Sequence, residues 1–155
     1  MTSKLTTLAL LAALASTARA GVTVSDAWVR GTVAQQTTTG LFFNITSAAA
    51  ARLLAVRTPA ARSVELHEMR MAGDMMTMRP VQSLELPGGR RVQLQPGGVH
   101  VMLVGLVHAL SAGETVPVTL VVQGAGGKRE EVQVMARVEA LGAPHAMGAM
   151  SGALQ

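Results

Sequence analysis

The chain has 155 residues, with 13 Lys and Arg against 9 Asp and Glu, 2% aromatic residues and no cysteine. The small charge excess and the scarcity of aromatic rings argue against nucleic-acid binding, which uses basic grooves and stacking platforms. The absence of cysteine excludes disulfides, thiolate metal sites and the Cys-containing blue-copper centre.

The first element, residues 1–20, has the layout of a secretory signal peptide. Lys4 precedes an apolar stretch from Leu8 to Ala15, and small residues end the segment at Ala18-Arg19-Ala20. This order matches a charged start, a short apolar region and an A-x-A cleavage site. The apolar stretch is shorter than the roughly 20 residues that span a bilayer, so we expect export without membrane insertion. A retained N-terminal anchor is the alternative.

The mature chain is expected to form one β domain over residues 21–140, followed by a flexible tail at 141–155. Alternating or β-rich segments are separated by turn signals, a pattern typical of an antiparallel sandwich or barrel. About seven strands are expected, in the segments VTVSDAWVR, TGLFFNITS, ARLLAVRTP, SVELHEMRM, GGRRVQLQPGGVHVMLVGL, ETVPVTLVVQG and REEVQVMARVEAL. The alanine-rich stretch at 47–69 leaves a helical turn open, because alanine favours helix.

A methionine-rich hairpin is predicted at residues 63–81. Gly73-Asp74 suits a two-residue loop, because glycine supplies the positive φ of a type II′ or I′ turn. The cross-strand pairs that follow from this loop are Met71 with Met76, Arg70 with Thr77, and Met69 with Met78. His67 then shares a face with the paired methionines and lies diagonal to Met78, while the charged residues take the other face.

Four side chains form a candidate metal site. His100 and Met102 share a strand face because residues i and i+2 do. His67 and Met78 join them from the hairpin. Thioether is a soft, neutral donor that favours Cu(I), and imidazole also suits copper. Two thioethers without carboxylate or thiolate argue against zinc, calcium and magnesium. Four neutral donors suit reversible carriage of copper better than catalysis.

The structural alternative is core packing, because methionine commonly fills cores and a strand histidine is often a core residue. Which thioether binds is also open, since further methionines crowd the hairpin, namely Met69, Met71, Met75 and Met76. A second copper site, with Cu(II) as a candidate ion, is one reading of the tail residues His145, Met147 and Met150. His108 is expected at a turn or strand end and Trp28 in the core. No hydrolytic motif is recognisable, so an enzyme is not expected.

The candidate ligands resemble those of the periplasmic copper chaperones called PCuAC, whose pattern is His-x10-Met-x21-His-x-Met. Ten residues separate His67 from Met78, and 21 residues precede His100-Val101-Met102. The segments DAWVR, VELHEM, MRPV, PGGVHVMLVGL and GETVPVTL are similar to the family's segments and stand in the same order. The resemblance covers nearly the whole mature chain.

The resemblance implies a cupredoxin-like, antiparallel Greek-key β-sandwich that binds one Cu(I) through His67, Met78, His100 and Met102. It also implies a periplasmic carrier that delivers copper to cytochrome c oxidase subunit II, alone or with Sco-type copper proteins. We expect this carrier to be a monomer. Two alternatives stay open: a periplasmic buffering or resistance protein, and a metal-free interaction module whose methionines form the binding surface.

Overall fold

A computed structural model describes residues 21–143, so the predicted signal peptide and tail residues 144–155, including His145, Met147 and Met150, lie outside it. One 3₁₀ turn is present at Ala125–Gly127. The strands of the described residues are β1 (Val22–Arg30), β2 (Thr38–Ser47), β3 (Ala51–Arg57), β4 (Ala61–Ala72), β5 (Met75–Val81), β6 (Leu84–Leu86), β7 (Arg91–Leu94), β8 (Val99–Leu106), β9 (Thr115–Gly124) and β10 (Arg129–Glu139). Between residues 21 and 143, no helix is long and apolar enough to cross a membrane.

The strands follow the order β5-β4-β8-β2-β1-β10-β9-β3-β6, and β7 also pairs with β2. Strands from both halves of this order turn alternate residues inward, so the sheet folds over one shared core. Its fully buried members include Val29, Leu41, Ile45, Leu53, Val101, Leu103, Leu120, Val122 and Val138. The predicted all-β sandwich with a single domain is confirmed.

The strands pair antiparallel except for β1 with β10, and an isolated parallel bridge joins Ser47 to Gly88. Strands β1 and β10 run parallel where Trp28–Arg30 face Arg137–Glu139. The sandwich is antiparallel as predicted, and this short contact is its one parallel strand pair among the described residues. The direction of β10 is set by its tight turn from β9, and that of β1 by its antiparallel pairing with β2. The two strands thus meet pointing the same way.

The alanine-rich stretch contains strands and no helix. Ala51, Leu53 and Val56 of β3 are buried, and β3 pairs with β9 and β6. Packing on both neighbours overrides the helical preference of alanine. The described residues form ten strands against the expected seven. The segment GGRRVQLQPGGVHVMLVGL carries two of them, β5 is the second arm of the predicted hairpin, and the three-residue β6 lies in none of the predicted segments.

The Gln95–Gly98 turn separates β7 from β8, which lie one after the other along β2. The Gly98 amide donates to the Gln95 carbonyl at 3.1 Å, and Gly97 has a φ of 85°. Proline at the second position and a positive φ at the third define a type II turn, which favours glycine at the third. This turn ends at Gly98, two residues before His100, and β8 begins at the next residue, Val99.

Strand β5 is one end of the sheet, and Pro80 lies near the end of this strand. Pro80 stands opposite His67 of β4. Counting along the alternating ladder from the Gly73-Asp74 loop, Pro80 falls where its nitrogen faces away from β4. The ladder therefore loses no hydrogen bond to the proline.

Candidate metal centre

Two neighbouring strands, β4 and β8, carry three of the candidate ligands on the face of the sheet turned away from the core. His67 lies directly opposite His100, and Glu65 lies directly opposite Met102. The residues that alternate with them on both strands point into the core. Alternation therefore puts the two imidazoles and the Met102 thioether side by side on the outer face.

The hairpin of β4 and β5 brings Met78 to this face. The register predicted from the Gly73-Asp74 loop is confirmed along the whole hairpin, with Met69 opposite Met78. His67 faces Pro80, so Met78 is its diagonal neighbour, at the about 7–8 Å that long side chains can bridge. Met78 is 47% exposed. All four predicted residues share one face, and Met78 is the one on the outermost strand.

The ring of His100 is held with one nitrogen free to bind a metal. His100 is only 5% exposed, and its Nδ1 lies 3.0 Å from the Gly98 carbonyl oxygen. A carbonyl only accepts hydrogen bonds, so Nδ1 carries the hydrogen and Nε2 keeps its lone pair in the neutral ring. The Met69 amide donates to the same carbonyl at 3.4 Å. The Gln95–Gly98 turn thus fixes the orientation of His100.

The ring of His67 is fixed through its other nitrogen. Its Nε2 lies 2.8 Å from Oε2 of Glu65, while its Nδ1 is buried and has no hydrogen-bond partner among the described residues. A carboxylate that accepts from Nε2–H leaves the lone pair of the neutral ring on Nδ1. A buried polar atom without a partner costs about 1–3 kcal/mol, and a bound ion would remove that cost.

The donor set fits one soft cation. The ring centroids of His67 and His100 are 6.1 Å apart. This spacing is compatible with one nitrogen of each ring on a common ion, since metal–imidazole bonds are about 2 Å long. Across residues 21–143, no three His, Cys, Asp or Glu side chains are grouped to hold a metal. Met102 and Met78, on the same face, supply thioethers, which favour Cu(I).

Aromatic side chains bury His100 from the β2 side, which the sequence reasoning missed. Phe42 stacks on Trp28 with ring centroids 4.4 Å apart, and its own centroid lies 6.3 Å from that of His100. A Cβ atom on Gly40 would stand 2.5 Å from the Phe42 ring, so only glycine lets the ring lie there. The signal was the alternation in GLFFN, which turns Phe42 away from the core.

Other sequence candidates lie apart from this group. His108 follows β8, where its side chain is 61% exposed and 3.9 Å from Glu114. This agrees with the strand-end position expected for it. Met75 pairs with Ala72 beside the loop, on the opposite face of the hairpin from Met78. Trp28 is buried, but on the outer face with Phe42 rather than in the main core.

Glu65 provides a prediction about His67. We expect Glu65→Ala to weaken Cu(I) binding by about 10–100-fold, the usual effect of losing a carboxylate that orients a ligating histidine. Glu65→Gln should lose less, because the amide oxygen can still accept from Nε2–H. Anaerobic competition with a Cu(I) chelator measures the affinities, and imidazole ¹⁵N NMR of the metal-free protein reports which nitrogen carries the hydrogen.

The matched control is Glu68→Ala, because Glu68 contacts Arg70 at 2.8 Å on the other face of the same strand. It should leave both the affinity and the His67 tautomer unchanged. A wild-type spectrum with hydrogen on Nδ1 of His67 would contradict the assignment.

The chain matches a family model described as "Putative lipoprotein LpqE-like" over residues 22–135. It is 36% identical over 101 residues to "Putative lipoprotein Lxx21020" of Leifsonia xyli subsp. xyli (strain CTCB07). That match covers 64% of this chain and 61% of the relative, so the chain spans less than two thirds of the relative's length.

Two solved structures are similar over most of the chain. A copper-bound PCuAC domain from PmoF2 is 28% identical with a TM-score of 0.63, covering 77% of this chain and 93% of that domain. The solution structure of CuI-DR1885 from Deinococcus radiodurans is 31% identical with a TM-score of 0.57, covering 73% and 74%. The resemblance found in the sequence is confirmed. The chain belongs to the LpqE-like family and has the fold of the PCuAC domains.

Proposed function

We propose that this protein is a periplasmic copper chaperone that binds one Cu(I) through His67, Met78, His100 and Met102. The observation that carries the proposal is the facing pair of imidazoles. Each ring has one nitrogen held by an acceptor and the other left with its lone pair, and the centroids are 6.1 Å apart. Thioethers on the same face supply the soft donors that favour Cu(I).

The proposed ligands are all uncharged, which suits transfer. They leave the positive charge of the ion uncompensated, so an acceptor with thiolates binds Cu(I) more strongly. Met78 is the most exposed of the four and lies on the outermost strand. We infer that an incoming acceptor displaces Met78 first, while the buried His100 releases the ion last.

The proposed acceptor is the copper centre of cytochrome c oxidase subunit II, reached directly or through Sco-type copper proteins. The relatives support the copper function, since one is described as copper-bound and another as the CuI form. The signal-peptide pattern and the relative named as a lipoprotein support an exported protein. The proposed role is carriage of the ion without a catalysed reaction.

The ligand set is tested by X-ray absorption on the Cu(I)-loaded protein. We expect two nitrogen and two sulfur neighbours around one copper. A copper with oxygen and nitrogen neighbours only would contradict the set, and failure to bind one equivalent of Cu(I) would favour a metal-free interaction module.

Delivery is tested by deleting the gene in its native host. Loss of oxidase activity that added copper restores supports delivery. Copper sensitivity with normal oxidase activity would instead support buffering. A parallel assay mixes the Cu(I)-loaded protein anaerobically with the metal-free soluble domain of subunit II, with and without a reduced Sco protein, and follows the metal.

A further inference from the structure

The tip of the β4–β5 hairpin carries methionines beyond those of the proposed site. Met71 lies directly opposite Met76, one step further from the histidines than the pair of Met69 and Met78. Residues two apart in a strand are about 7 Å apart and share a face. Two thioether pairs therefore continue the line that starts at His67.

These tip methionines are unusually open to solvent. Met71 is 63% exposed and Met76 is 51% exposed. The opposite face of the hairpin carries the polar and charged residues, with Arg70 in contact with Glu68 at 2.8 Å. Apart from Met75, the hairpin thioethers lie on one face and the charged residues on the other, in a part of the hairpin that contributes nothing to the main core.

The Met71–Met76 pair has the spacing that a shared metal ion needs. Directly opposite residues place their Cβ atoms about 4.5–5.5 Å apart. Metal–sulfur bonds of about 2.3 Å bring two bound sulfur atoms within about 4.6 Å of each other. The flexible methionine side chain meets this requirement without moving the backbone. Met69, one step away, is close enough to add a third sulfur.

We propose that Met71 and Met76, with the thioether of Met69, form a second site for a soft monovalent ion, Cu(I) or Ag(I). Cu(I) as the physiological ion rests on the proposed copper function, whereas the site itself rests on the hairpin register and the exposure of its methionines. The tip site offers three donors against the four of the proposed site, so we expect it to hold the ion more weakly. This site is therefore filled second.

The test is a titration of the mature protein with Ag(I), followed by the methyl signals of its methionines in ¹H–¹³C NMR. We expect a first equivalent that shifts the Met102 methyl and a second, weaker equivalent. The second equivalent should shift the methyls of Met71 and Met76. The double variant Met71→Leu/Met76→Leu should lose this second equivalent and keep the first, since leucine preserves size but removes sulfur.

Met75→Leu is the matched control, because Met75 lies on the same hairpin, is 69% exposed and points to the other face. It should keep both equivalents. The proposal is overturned if the double variant keeps a second equivalent that shifts hairpin methyls, or if Met75→Leu loses it equally. It is also overturned if the second equivalent in the wild type shifts only the methyls of Met147 and Met150. If the wild type bound no ion at the four-ligand site but still bound one at Met71 and Met76, the proposed function would be rejected and the tip site would stand.

Discussion

Replacing both His100 and Met102 with alanine is expected to remove the tight equivalent of Cu(I). The change deletes one imidazole and one thioether from neighbouring positions of β8, both on the site face. The loss of affinity should exceed the about 10–100-fold that loss of an orienting partner costs, because two proposed ligands themselves are gone. Anaerobic titration against a competing Cu(I) chelator measures it.

Two further variants separate ligand loss from damage to the fold. Met102→Leu removes the thioether and should therefore weaken binding. Because it conserves the side-chain volume, it should leave the unfolding transition nearly unchanged. His108→Ala removes an exposed imidazole outside the site and should leave the affinity at the wild-type value. A double variant that keeps one equivalent with unaltered affinity would refute the ligand assignment.

Trp28→Ala is expected to lower the free energy of unfolding by about 3–5 kcal/mol, the range for removing a large buried aromatic side chain. Trp28 is buried and its ring stacks on Phe42 at a centroid distance of 4.4 Å. The change leaves a cavity and takes away the support of the ring that covers His100. The midpoint of thermal unfolding should fall by about 10–20 °C for a domain of this size.

Urea unfolding followed by far-UV circular dichroism gives the free energies, and two variants complete the comparison. Trp28→Phe keeps a ring on Phe42 and should lose much less than Trp28→Ala. Val33→Ala removes an exposed side chain and should change stability by under about 0.5 kcal/mol. Equal stabilities for Trp28→Ala and Val33→Ala would show that the outer-face stack does not stabilise the fold.

Local patterns predicted the hairpin well because its register depends on residues that are close together in the sequence. The Gly73-Asp74 loop fixes the register, and the period of two then decides which side chains share a face. The same alternation predicted that His100 and Met102 stand together. Glu65 could also have been found, since it stands two residues before His67 and therefore points the same way.

The local pattern could not predict which distant strands pair with each other. Nothing in the alternation says that His67 stands opposite His100, because any strand could have been the neighbour of β4. Donor chemistry and the resemblance to PCuAC grouped the four candidate ligands, whereas the sheet order gives the physical reason that three of them lie together. The parallel contact of β1 with β10 is likewise a product of the whole topology.

The contact between Phe42 and His100 could be predicted only by combining the local alternation with the pairing of distant strands. Its outward direction follows from the alternation of β2, but its place beside His100 depends on β8 pairing with that strand. The close approach to Gly40 depends on the direction of the ring. Packing of this kind is decided by neighbours distant in sequence.

The proline in the outermost strand affects how molecules of this protein meet one another. Pro80 offers no amide hydrogen on the open side of β5, and Arg79 next to it adds a positive charge. An incoming strand from a second copy would find the ladder interrupted and would bring like charges together. The exposed methionines of the hairpin can thus lie beside an open strand without promoting strand-to-strand aggregation.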